Sequence, residues 1–283
     1  MSKIVVVAPE FNNYGGAHVL HRKDLGGLSE DLPDAKVANL GEKRVINPDL
    51  LKPFGKLRAR AWAAASKKGI RILDGYGQNP ELAKEVVKTI QGIAQEAQSH
   101  ANLIIRNWTA LVDDWANQNP KWSGMIRKSA PPQEWVRSRF SFTVRAYPLG
   151  LDQLEGMGIE DNALVSEMGG LGDRLVVELV DTANALWKEF LTREHVTSRQ
   201  ISPLVTMQEK AETLGYLDRR AAQVGLDLGK LITSLPPKGP YEAQLPAILL
   251  ELRKVVRLGA AAEPTEKSVQ HSYSTEDPAW ACA

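Results

Sequence analysis

A single cysteine, Cys282, stands among the 283 residues, so no disulfide can close within the chain and the cysteine clusters of structural zinc sites are missing. That scarcity leads us to expect a reducing cytoplasm. Charge of one sign is missing too: 35 Lys and Arg face 34 Asp and Glu, so no global field draws the chain to nucleic acid or to an anionic membrane. Long apolar runs are also absent. Ile4 to Ala8 is too short for a signal-peptide core, and no stretch reaches the roughly 18 apolar residues of a membrane span, so neither export nor a membrane-spanning segment is expected. The apolar and charged fractions, 43% and 24%, are those of a globular protein able to bury a full core.

What is present is helical periodicity. From Asn79 to Pro120, Leu82, Val86, Ile90, Ile93, Ala97, Ile104, Trp108, Leu111 and Trp115 fall on one face, and Ala83, Val87, Ala94, Ala101, Ile105 and Val112 widen the stripe. The spacing predicts one continuous, nearly straight helix roughly 60 Å long at about 1.5 Å per residue, and hence an elongated molecule. Ile93, Ile104, Trp108 and Trp115 are candidates for a packing or oligomer seam of coiled-coil character.

Around this element the chain reads in order. Ile4 to Val7 is a β-branched run that Pro9 should end, and Val19 and Leu20 fit a returning strand. Asn47 and Pro48 mark the start of a helix running to about Lys68. Asp74 to Pro80 reads as a turn. Alternation over residues 136–147 predicts a strand with one wet, basic face, pairing with the N-terminal run. Leu164 to Phe190 marks a second long helix, the expected counterpart of the first. Three shorter helices follow, at about 202–214, 216–235 and 241–258.

The expected fold is therefore mainly α: an elongated bundle of long amphipathic helices with a small antiparallel β-sheet formed by the N-terminal strand and the strand near 136–147. Residues 1–150 would hold the sheet, the basic helix and the long helix. Residues 151–258 would form a helical bundle region packed on the first, and 259–283 a disordered tail.

Motifs that could carry chemistry are few. His18, His21 and Asp24 could be forced into a metal site, but nothing completes the shell. The run Met168-Gly169-Gly170-Leu171-Gly172-Asp173 lacks the strand and the Lys-Ser/Thr of a phosphate loop and reads better as a loosened helix. Glu155, Glu160, Asp161 and Glu167 read as helix-start carboxylates. No catalytic residue, metal ligand or cofactor site is assigned. The concentrated cations Lys52, Lys56, Arg58, Arg60, Lys67 and Lys68 could instead track phosphates, beside Trp62, Arg137, Arg139 and Arg145, or could simply be a solvated face.

The run Leu40-Gly41-Glu42-Lys43-Arg44-Val45-Ile46-Asn47-Pro48, with Leu51-Lys52-Pro53-Phe54, Gly69 to Tyr76, Trp115 to Trp122, Leu204, Lys210, Leu214 and Leu235 to Gly239, resembles an uncharacterised family of bacterial and phage proteins. Its members are commonly encoded on integrative elements beside a MoxR-type AAA+ ATPase, similar to a cobaltochelatase subunit, and a protein with a von Willebrand factor A domain. The resemblance implies an accessory role in an ATPase-driven assembly. The expectation is thus a non-enzymatic, self-associating helical adaptor. The alternatives are a nucleic-acid-binding accessory protein using residues 43–71 and, third, a helical protein that inserts into membranes through Leu245 to Leu252.

Overall fold

The computed structural model describes residues 4–24, 40–150, 162–193 and 195–260. The chain is mainly α, with a four-stranded antiparallel sheet and a separate two-stranded ribbon. The strands are β1 (Ile4–Asn12), β2 (Ala17–Val19), β3 (Glu42–Arg44), β4 (Ile70–Ile72), β5 (Gly75–Gln78) and β6 (Ser141–Leu149). The helices of the first half are α1 (Lys52–Ser66), α2 (Pro80–Arg106), α3 (Trp108–Gln118), α4 (Ser123–Ser129) and α5 (Gln133–Arg137). Those of the second half are α6 (Asn162–Gly169), α7 (Leu171–Leu191), α8 (Ser198–Leu214), α9 (Arg219–Ser234) and α10 (Leu245–Ala260). Of the expected tail, 259–283, Gly259 and Ala260 still belong to α10, and the rest lies outside the described residues, as do Glu155, Glu160 and Asp161.

The sheet, in the order β4-β5-β1-β6, is a wall between two hydrophobic cores. Alternation sends successive side chains to opposite faces. Val5, Val7, Phe11, Tyr76, Phe142 and Val144 join the core built on α1 and α2, whereas Ile4, Val6, Ile70, Ile72, Tyr147 and Leu149 join the core of α7 to α10. β6 therefore has a wet face only in part: Thr143 and Arg145 are exposed, but Tyr147 and Leu149 beyond them are covered.

Several sequence expectations change here. β1 continues past Pro9, because β5 pairs only with Val5 to Val7 and leaves one side of β1 free from there on, where the missing N–H of proline is tolerated. The strand expected at 136–147 begins only at Ser141, since Val136 is buried from α5, which starts just after Pro132. The pairing of this strand with the N-terminal run is as expected, with Ile4 opposite Leu149 and Asn12 opposite Ser141. The supposed turn around Gly75 and Gly77 is strand β5. A Cβ on Gly75 would sit 2.7 Å from the Val7 carbonyl oxygen, so glycine marks close strand approach rather than a turn.

The long helix is not continuous. α2, opened by Asn79 whose Oδ1 accepts from the Glu81 N–H at 3.0 Å, ends at Arg106, and α3 begins at Trp108. Asn107 lies between them at φ −100° and ψ 13°, with its side-chain amide donating to the Leu103 carbonyl at 2.9 Å. An asparagine side chain that competes for backbone acceptors is a poor helix interior. The rod is therefore about 40 Å long, and α3 departs from it. Nor is α7 its counterpart: α2 packs on α1 and β6, and α7 packs on α10. The second long helix is itself divided at Gly170, and Gly172 lets the chain before α9 approach, since a Cβ there would lie 2.7 Å from the Leu217 carbonyl oxygen.

The two halves meet at the C-terminal end of α1. Lys68 pairs with Glu209 at 3.4 Å and Asn79 donates to the Thr213 carbonyl at 3.2 Å, while Gln78 of β5 holds that end of α1 within its own half by donating to the Ala65 carbonyl at 2.6 Å.

Candidate functional site

Asn47 accepts from the Asp49 N–H at 2.9 Å and, with Pro48, starts the turn that feeds α1, whose Phe54, Leu57, Ala61 and Ala65 are buried at helical spacing. The opposite face carries the expected cations, but most are engaged by the chain itself. Lys52 pairs with Asp49 at 2.6 Å, Arg60 grips Glu96 through one nitrogen at 2.8 and 3.0 Å, and Lys68 pairs with Glu209. Arg58 donates to the Phe11 carbonyl at 2.5 and 3.1 Å. Among the described residues only Lys56 and Lys67 of the six have no such partner.

Trp62 is not a free platform, because the Arg71 guanidinium lies 5.4 Å from its ring centre. Arg137 pairs with Glu134, and Arg145 with Glu10 and Asp74. The seam candidates Ile93, Ile104 and Trp108 are buried in the chain's own core, so they pack within the protein. Trp115 is half-buried and donates to the Arg44 carbonyl at 3.2 Å.

That hydrogen bond helps close a cleft the sequence did not announce. It lies between the β2–β3 ribbon and α3–α4, and it has two compartments that share Lys43 and Met125. The polar one, about 640 Å³, is lined by His18, His21, Asp24, Lys43, Lys128 and Ser129 among others. The apolar one, about 220 Å³, is lined by Leu20, Trp115, Trp122, Met125 and Ile126 together with Glu42 and Arg44.

The polar walls are fixed from behind. Lys43 bonds Asp24 at 2.6 Å with both side chains about nine-tenths buried (9% and 11% exposed), and Asp24 also accepts the His21 N–H at 2.8 Å. The hydrogen bond from Lys43, then that from His21, holds the Asp24 carboxyl below its ordinary range. Tyr14 and the Nε2 of His18 share a 2.7 Å hydrogen bond. Burial holds the Tyr14 phenol well above its ordinary value, while burial and then the Lys43 charge hold His18 below its own. Near neutral pH the pair is therefore an uncharged tyrosine and an uncharged histidine. Tyr14 is clasped edge-on by Trp108 and Trp135, and Arg139 lies 4.4 Å above the Trp135 ring.

This geometry accounts for the fate of the histidine triplet. His18, His21 and Asp24 do share one cleft, but Tyr14 occupies one imidazole nitrogen and Lys43 the carboxylate; among the described residues no group of three or more such side chains is placed to hold a metal ion. Glu167, read as a helix-start carboxylate, instead accepts from the Leu73 N–H at 3.2 Å. No helix among the described residues is long and apolar enough to cross a membrane, and Ile248 and Leu252 of α10 are core residues. The seven-residue spacing of Trp115 and Trp122 was the available pointer to the cleft. The ribbon opposite was hidden because β2 and β3 are short and far apart in sequence.

The model of a family described as "Protein of unknown function (DUF3150)" matches residues 1–257. No curated protein and no solved structure matches the chain.

Proposed function

Starting from the fact that the chain belongs to the DUF3150 family, we propose that it is a non-catalytic adaptor that holds a segment of a partner protein in the cleft between the β2–β3 ribbon and α3–α4. One observation carries this reading: a compartment with cationic side chains adjoins, across the shared Lys43 and Met125, one walled by Trp115, Trp122 and Met125. Tryptophan and cations placed together on an accessible surface are the usual ingredients of a protein-binding anchor. The walls are held by internal bonds, Lys43 to Asp24 and Trp115 to the Arg44 carbonyl, so little ordering cost remains for binding.

The partner we propose is the AAA+ ATPase or the von Willebrand A protein that the sequence resemblance implies, in a phage or mobile-element setting. The basic face of α1 suits nucleic acid less well, because four of its six cations are committed to Asp49, Phe11, Glu96 and Glu209. Co-expression with each candidate partner, followed by size-exclusion chromatography with light scattering, tests the reading. A complex that dissociates when Trp122→Ala and Lys128→Glu are introduced together is expected. A complex indifferent to both substitutions removes it.

A further inference from the structure

Resting on that adaptor reading, we infer that the cleft takes a short acidic peptide segment carrying a large apolar side chain next to its acidic residues. The charge pattern decides the first half of this statement. Lys43 is answered by Asp24, but Lys128 and Arg44 have no ion-pair partner among the described residues. Lys121 places its ammonium 5.3 Å from the centre of the Trp122 ring. His18, its Nε2 bonded to the buried Tyr14 hydroxyl, lines the polar compartment without charge near neutral pH. An isolated carboxylate pair matches this set. A continuous row of phosphates matches it less well, because a row of phosphates calls for a row of unpaired cations, and Lys128 and Arg44 share the lining with Glu42 and with a Lys43 already neutralised by Asp24.

The second half follows from adjacency. Trp115, Trp122 and Met125 offer an aromatic and thioether surface suited to a tryptophan, phenylalanine or leucine side chain. Because the two compartments share Lys43 and Met125, the acidic and apolar residues of the ligand must be near neighbours along one extended segment. Both compartments are open to solvent rather than closed over, which suits a chain segment laid along the surface. The mode is recognition of an acidic motif by clustered cations with an apolar anchor beside it.

The test uses the full chain and the synthetic peptide Gly-Asp-Glu-Leu-Trp-Gly, titrated by calorimetry at low and at physiological salt. Saturable binding is expected, weakened by salt and about tenfold by Lys128→Glu, an exposed substitution that leaves the fold intact. The amide peptide Gly-Asn-Gln-Leu-Trp-Gly should bind the wild type about tenfold more weakly and should not distinguish it from the variant. Absence of saturable binding, equal affinity for the acidic and amide peptides, or stronger competition by a single-stranded oligonucleotide would overturn the inference. If the peptide fails while a partner complex still depends on Trp122 and Lys128, this inference falls and the adaptor reading stands.

Discussion

Lys210, on α8, points its ammonium at the Ser66 carbonyl 3.5 Å away, at the C-terminal end of α1, and is bonded at the same time to Glu178 of α7. Only 6% of the residue is exposed. A cation buried at a helix C-terminus answers both the unpaired carbonyls and the negative end of the helix dipole. Lys210 therefore ties the sheet-and-helix half to the helical half through three elements. Its replacement by alanine should destabilise the protein by about 1–3 kcal/mol, the range for stranding a buried acceptor, read from the midpoint of urea unfolding.

Gly225 lies where α9 crosses α8, and a Cβ there would fall 2.8 Å from the Glu212 amide nitrogen. Helix propensity alone would make Gly225→Ala stabilising by about 1 kcal/mol. Backbone cannot yield as a side chain tip can, so overpacking of about 1–3 kcal/mol should win. Thermal unfolding is expected to show a lower Tm for the variant.

Arg58→Ala separates a structural from a phosphate-binding role on α1. The guanidinium donates to the Phe11 carbonyl and reaches Asn13 at 3.4 Å, so its loss should lower stability by about 1 kcal/mol. Neutralising Lys56 and Lys67 should leave stability within about 0.5 kcal/mol. Denaturant titration of both variants makes the comparison.

Asp218 caps α9, accepting from the Arg220 N–H at 2.6 Å and from its guanidinium at 2.7 Å. The side-chain bond from Arg220, foremost, depresses its carboxyl. A group depressed on folding contributes stability that is fully present above the unfolded aspartate value, about 4, and that is lost as pH falls through the lower folded value. Asp218→Asn should thus reduce stability at pH 7 and flatten the acid limb of the stability profile, measured by urea unfolding between about pH 2 and 7.

How much of this was readable in the sequence varies by element. The Ile4 to Val7 run, its pairing with the strand expected at 136–147, the Asn47-Pro48 helix start and the helical second half follow from local pattern. Tertiary contacts decided the rest. Glycine at 75 and 77 signalled a turn, yet it serves the close approach of β5 to β1. The apolar stripe ran through Asn107 unbroken, because both α2 and α3 bury the same side; periodicity alone does not register a change of axis. The candidate cleft was the least legible part. His18 and Lys43 face each other across β2–β3 pairing between residues 25 apart in sequence, and short strands at such separation leave no local signature.

Within α2, Ile90, Ile93, Ala97, Ala101 and Ile104 remain the buried stripe on which α1 and β6 pack. Ile93→Pro should cost at least about 3 kcal/mol from the backbone alone. Far-ultraviolet circular dichroism is expected to show lost helicity, and a soluble variant with unchanged helicity would contradict the organising role of α2.

The adaptor account is tested most directly by co-purifying the wild type and the Trp122→Ala, Lys128→Glu double variant with the AAA+ ATPase and the von Willebrand A protein proposed as partners, with light scattering to fix stoichiometry. The account predicts a defined complex with one of them for the wild type, and its loss in a double variant that retains the helicity of the wild type. A wild type that elutes alone beside both proteins, or a double variant that binds as tightly as the wild type, would contradict it.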